Sequence, residues 1–209
     1  ANAGEKIQAC INDLPEIGGV CDARGLTDAQ TIGNLDCNKP AEILLGAGVY
    51  SVTTLNISAI GCSVRGVSPN KSILLTTSPV ADVIVISTGA SLFHLADLEI
   101  QVRVGSDRTA SVLKALDGQG MISNVRIVGW PNYNNGKIFT HDTAAAGNWV
   151  YNHILVPGGV KWTYLFHLQE PSGGTVGSIH VSDSLISGTI TWSDAGIIMD
   201  TGVDTFTVV

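Results

Sequence analysis

Polar residues interrupt the apolar runs of this chain at recurring places. In GMISNVRIVGW, residues 120–130, Ile122, Val125 and Ile127 are apolar and Asn124 is not. Asp97 stands in the same way three residues before Ile100, Asn152 before Leu155 and Asp183 before Ile186, with a weaker copy at Asp204 before Thr207. The intervals between these Asn and Asp positions are 27, 28, 31 and 21 residues. An irregular interval in the twenties is a repeat signal, and units this short cannot bury an apolar face alone, so they must stack. Asn and Asp tolerate the left-handed backbone of a sharp bend. The polar positions therefore predict a turn between two strands of each unit, repeated roughly every 4.8 Å up a stack.

Other elements follow from the same patterning. In GEKIQACINDLP, Ile7, Cys10, Ile11 and Leu14 fall at helical spacing and Pro15 ends the run, which predicts one amphipathic helix within residues 1–15. GGVCDARG, AEILLGAGVYSV, SVRGV, SILLTT and ADVIVIST are short strand-like runs separated by Gly, Ser, Asn and Pro. From Ser91 onward strands are expected near SLFHLADLEIQV, SVLKALD, MISNVRIVG, KIFTHD, NWVYNHILV, WTYLFHL, GSIHVSDSLISG, GIIMD and DTFTVV. No helical segments alternate with them, which excludes a doubly wound or barrel α/β fold. Hairpin turns at short regular spacing, the mark of a sandwich, are also lacking. The expected fold is an all-β, right-handed parallel β-helix over residues 1–209. Residues 1–15 form its capping helix, 16–90 its first rungs and 91–209 its regular rungs. Val125, Ile127, Ile154 and Ile186 are expected in line inside it. Residues 131–148 lack a clear strand pattern at either end and predict a long loop.

Composition narrows the function classes. Charged residues are 14% and the net charge is −7 with a pI near 5.0. An acidic chain with scattered Lys and Arg argues against a nucleic-acid surface. No apolar run reaches the roughly 18 residues of a membrane span. Cys10, Cys21, Cys37 and Cys62 all lie in the first third, without a CxxC pair. Two disulfides are the expected use, of open connectivity, and they place the protein in an oxidising, extracellular setting. Asn56 and Asn70 match the Asn-x-Ser acceptor pattern.

The helix running into GGV, then ILLGAGVYSV and CSVRGVSPNKSILL, with the later GMISNVRIVGW and GSIHVSDSLISG rungs, resembles the opening and body of the pectate-lyase-like superfamily of right-handed parallel β-helices. That superfamily includes secreted polysaccharide lyases and hydrolases, epimerases and phage tailspikes. The resemblance implies the fold and a carbohydrate-related, extracellular role. It transfers no catalytic residue. The paired Asp, Gly-His-Gly and Arg-x-Lys of polygalacturonase-type hydrolases are absent, and Arg103, Arg108 and Arg126 sit in no lyase motif.

Candidate sites remain on the residues themselves. Trp149 and Tyr151, and Trp162, Tyr164 and Phe166, recur at period two, which puts each set on one strand face. Facing out, Trp149, Tyr151, Trp162 and Tyr164 would make a sugar-stacking platform, with Asn152, His153, His167 and Glu170 supplying polar contacts; facing in, they fill the coil. Asp183 and Asp204 lie one short repeat apart, with Asp194 and Asp200 nearby. Stacked, two carboxylates would raise one pKa or recruit a cation such as calcium, and at about 5 Å they would suit a retaining glycosidase. His153, His167 and His180 raise a histidine ladder, although without metal-ligand spacing. No other cofactor is implied. The expected function is binding or degradation of a polysaccharide or cell-surface glycan, by a lyase or glycoside hydrolase if catalytic. The alternative is a non-catalytic fibre or spike component. The chain stops at DTFTVV within a strand pattern, so continuation in a longer polypeptide, or covering by another copy in a homo-oligomer or end-to-end assembly, is expected.

Overall fold

The computed structural model describes residues 1–26, 29–116, 118–142, 147–169, 176–186, 191–192, 197–199 and 203–208. The chain opens with helix α1, Ala3–Asp13. Asn2 caps it. Its side chain accepts from the Glu5 amide at 2.9 Å while the Glu5 carboxylate accepts from the Asn2 amide at 2.9 Å, satisfying two donors that a helix start leaves open. Ile7 and Ile11 are buried in the core against the first strands, so the helix covers one end of the stack.

The strands follow in order. β1 is Gly19–Ala23 and β2 Gln30–Cys37; β3 is Ala41–Leu45 and β4 Gly48–Ile57. β5 is Ser63–Arg65, β6 Ser72–Thr76 and β7 Ile84–Ile86. β8 is Phe93–Val102 and β9 Ser111–Ala115; β10 is Gly120–Val128 and β11 Lys137–Asp142. β12 is Trp149–Val156, β13 Lys161–Trp162 and β14 Tyr164–Gln169. β15 is Val176–Ser182, β16 Leu185–Ile186, β17 Thr191–Trp192, β18 Ile197–Met199 and β19 Val203–Val208.

Every registered pairing among them is parallel, which makes the molecule a parallel β-solenoid. Three walls rise side by side. The first stacks β1, β3, β5, the leading halves of β8, β10 and β12, then β15 and β19. The second runs through β6 and the trailing halves of β8, β10 and β12 to β16. The third stacks the trailing half of β4 with β7, β9, β11, β14 and β18.

The core is built from rows of side chains in exact register between rungs. Cys21, Ile43, Val64, Leu95, Ile122, Tyr151 and Val181 form one row, all buried. Leu55, Ile84, Leu113, Phe139 and Phe166 form another, facing it from the third wall. Each buried aliphatic side chain contributes roughly 1.5 to 3 kcal/mol relative to exposure. The expected single row of four splits in two. Val125 pairs with Ile154, whereas Ile127 belongs with Ile100 and Ile186 pairs with Val156.

The turn ladder exists, with one shift. Asp97, Asn124, His153 and Asp183 have φ of 58°, 52°, 56° and 48°. The register aligns Asn124 with His153, because Ser123 faces Asn152 and Val125 faces Ile154. So the third bend is made by His153, not Asn152. Histidine joins Asn and Asp among residues enriched at positive φ. Asp204 is not a further copy: Val181 pairs with Val208, which sets Asp204 early in its strand. The rungs are tied at the capped end by disulfides Cys10–Cys21 and Cys37–Cys62. Such bonds fit an oxidising compartment.

Two further elements differ from expectation. β2, which is not among the strand-like runs expected from the sequence, pairs with β4 through a register shift at Gly33. Within residues 131–148, β11 is the strand expected near KIFTHD, but the loop before it is folded inward. Buried Asn135 accepts from the Trp130 amide at 2.6 Å and donates to the carbonyls of Trp130, Tyr133 and Lys161 at 3.0, 3.1 and 2.9 Å. Among the described residues no helix is long and apolar enough to cross a membrane.

Candidate functional site

The aromatic residues go inward. Trp149, Tyr151 and Trp162 are each at most 1% exposed. Trp149 stands directly over Gly120 in the register, and a Cβ on Gly120 would lie 2.6 Å from its ring. A missing side chain one rung away thus makes room for an indole in a narrow coil. The indole N–H donates to the Gly118 carbonyl at 3.1 Å. Phe139 meets Tyr151 and Phe166 at ring separations of 4.5 and 5.1 Å, closing an interior aromatic cluster. No outward platform of Trp149, Tyr151, Trp162 and Tyr164 is formed. Tyr164 is half-buried and stacks on His167 at 4.8 Å. Glu170 lies outside the described residues. Gly120→Ala is expected to cost about 2 kcal/mol by overpacking the Trp149 ring, read as a lowered denaturant midpoint. An outward-facing Trp149 would make that change neutral.

The other sequence candidates separate as well. Asp183 occupies the turn ladder while Asp204 is out of phase with it, so the two do not stack. Asp194 and Asp200 lie outside the described residues. His153 sits in the turn ladder, His167 on the third wall and His180 on the first, which dissolves the histidine ladder. Among the described residues no three His, Cys, Asp or Glu side chains come together as a metal site. Both ends of the Asn56 amide are engaged, by Asp36 at 3.2 Å and Ser87 at 2.8 Å. Arg103 lies 5.8 Å above the Trp130 ring, and Arg108 is buried.

What the fold does assemble is a polar groove on the outside of the second wall. The loop from β5 to β6 overhangs later rungs there. Pro69, Asn70, Asn124, Arg126, His153 and Leu155 line a cavity of about 250 Å³. Its cation is held in place. Arg126 bonds Glu99 at 2.5 Å and Asn70 at 3.0 Å, and Gln101 also donates to Glu99. The Glu99 side chain is 2% exposed and that of Arg126 31%, so a buried carboxylate anchors a guanidinium that still reaches solvent. Next to it Asn124 donates to Asp97 at 2.8 Å, and Arg65 bonds the other oxygen of Asp97 at 2.9 Å. Asn70 itself has φ 75°. Donors, acceptors and the aliphatic surfaces of Pro69 and Leu155 are thus combined at one place. Asn124 was legible from the repeat as a turn former. Asn70 and Arg126 are 56 residues apart, and only the stacking register brings them together.

No family model matches the chain, and neither a curated protein nor a solved structure does.

Proposed function

We propose that this protein is an exported, pectate-lyase-like β-helix that binds a carbohydrate polymer along its outer wall. The observation that carries the reading is the groove around Arg126. A sugar ring presents hydroxyls that need paired donors and acceptors, and C–H faces that need apolar contact. Asn70, Asn124, Arg126 and His153 offer the first, Pro69 and Leu155 the second. The two disulfides support export.

A second reading has its own support. The indoles of Trp149 and Trp162 are spent on the core, and a fibre or adhesive component needs no stacking platform.

A panel of neutral and acidic polysaccharides separates the two. Binding to at least one member is expected, at least about tenfold weaker in Asn70→Gly and His153→Asn, roughly 1.4 kcal/mol. Glycine accepts the φ of Asn70 and asparagine the left-handed turn of His153, so both variants keep the wild-type melting temperature. Failure to bind any member transfers the conclusion to the fibre or adhesive reading.

A further inference from the structure

The outer face of the first wall carries two rows of side chains in strict register. One runs Arg65, Ala96, Ser123, Asn152. The other runs Ser63, His94, Met121, Val150. Across them, His94 Nε2 and Ser123 Oγ are 3.0 Å apart. In the first row Ala96 separates Arg65 from Ser123. Arg65 is 56% exposed and steadied by Asp97, whose second oxygen is taken by Asn124. His94 also lines a neighbouring open cavity of about 340 Å³ with Leu92, Gln119, Met121 and Asn148. Leu92 and Met121 are 59% and 40% exposed and form its apolar lip. Leu92 holds φ 58°, a conformation that bulky residues seldom keep.

We propose that Ser123, His94 and Arg65 form an acyl-transfer site that hydrolyses short-chain esters. Ser123 is the nucleophile, His94 its general base and Arg65 the partner of the oxyanion. As Ser123 Oγ bonds to the ester carbonyl carbon, its proton passes to His94 Nε2 and the carbonyl electron pair moves onto oxygen, facing Arg65. The tetrahedral adduct collapses, the bond to the alcohol oxygen breaks, and the alcohol leaves with the proton from Nε2. Water then adds to the acyl-serine with the same base, releasing the carboxylic acid and restoring the hydroxyl. The acyl chain lies against Leu92 and Met121. Partial burial and the charge of Arg65 hold the His94 pKa below the ordinary histidine value, against the opposite pull of Asp97 and Glu42. The imidazole is therefore neutral at pH 7 and able to accept the proton.

The test is turnover of 4-nitrophenyl acetate, with mass mapping of the trapped acetyl group and labelling by a fluorophosphonate. Both reagents are expected on Ser123. Ser123→Ala and His94→Gln should lose about 100-fold or more in rate, and Arg65→Met about 100-fold, with melting temperatures unchanged because all three side chains are partly exposed. Nitrophenol release that persists undiminished in Ser123→Ala, or acetyl found only on lysines, overturns the proposal. So does the absence of any label on Ser123.

Discussion

Arg108→Met should lower the unfolding free energy by about 4 kcal/mol, the largest loss expected from any single side chain here. Arg108 is 1% exposed and donates to five carbonyls. Nε reaches Ser78 at 3.1 Å; Nη1 reaches Ala110 at 3.0 Å and Asn135 at 3.5 Å; Nη2 reaches Ala81 at 2.7 Å and Ser111 at 2.9 Å. Four of these carbonyls belong to the three successive connections that lead into β7, β9 and β11, and the fifth, Ser111, opens β9. Loops on a solenoid have no ladder of their own, so their inward carbonyls need another donor. One guanidinium supplies it for three rungs. Methionine fills similar space and removes a buried charge, which offsets part of the loss. Each orphaned carbonyl costs about 1 to 3 kcal/mol, and with several affected the unfavourable side wins. Burial pulls the Arg108 pKa down to about 10, so it remains a cation at neutral pH. Arg108→Lys should recover less than half, because an ammonium has three donors and no fork. For a chain of this size the methionine variant should melt about 8 to 16 °C lower. A change under about 2 °C would sink the clamp.

Arg108 also shows where sequence reading stops. Its partners are backbone carbonyls, which carry no residue signature. The architecture was legible because turn chemistry leaves one. Asp97, Asn124 and Asp183 sit at positive φ as their identity predicts. The third rung misled by a single position, since Asn152 and His153 are both competent and only the register decides. Strand direction was legible too, from the lack of hairpin signals. Which face of a strand looks inward was not. Period two assigns Trp149 and Tyr151 to one face without saying which. The signal that resolves it is Gly120, 29 positions before Trp149, but its meaning depends on rung length, which varies with every insertion. The Arg126 groove is harder still. Its residues come from different rungs and meet only after the inserted loop at 66–71 folds across them.

Stability should fall by roughly 3 kcal/mol between pH 7 and pH 4 through one buried histidine. His141 lies in the third-wall interior, wholly buried, with Nε2 bonded to the Tyr151 hydroxyl at 2.5 Å and Nδ1 without a partner. The Trp149 ring packs edge-on against it at 5.0 Å. Among the described residues no anion faces it, and burial lowers its pKa from 6.5 to about 3. The sign follows from which state binds the proton. Below pH 6.5 the unfolded chain takes up a proton that the folded one refuses, so folding loses about 1.4 kcal/mol per pH unit until the folded pKa is reached. Above pH 6.5 the contribution is complete. Many carboxylates also titrate in this range, so the measurement must be a difference between proteins. Replacing only His141 would strand the Tyr151 hydroxyl, whereas His141→Leu with Tyr151→Phe removes both partners and is expected to be nearly neutral at pH 7. Urea unfolding of the two proteins at pH 7, 6, 5 and 4 should diverge steadily, with the wild type losing the extra 3 kcal/mol. Parallel curves would mean that His141 is protonated inside the coil, where an ammonium-like charge next to Trp149 and Tyr151 would need a partner that none of the described side chains supplies.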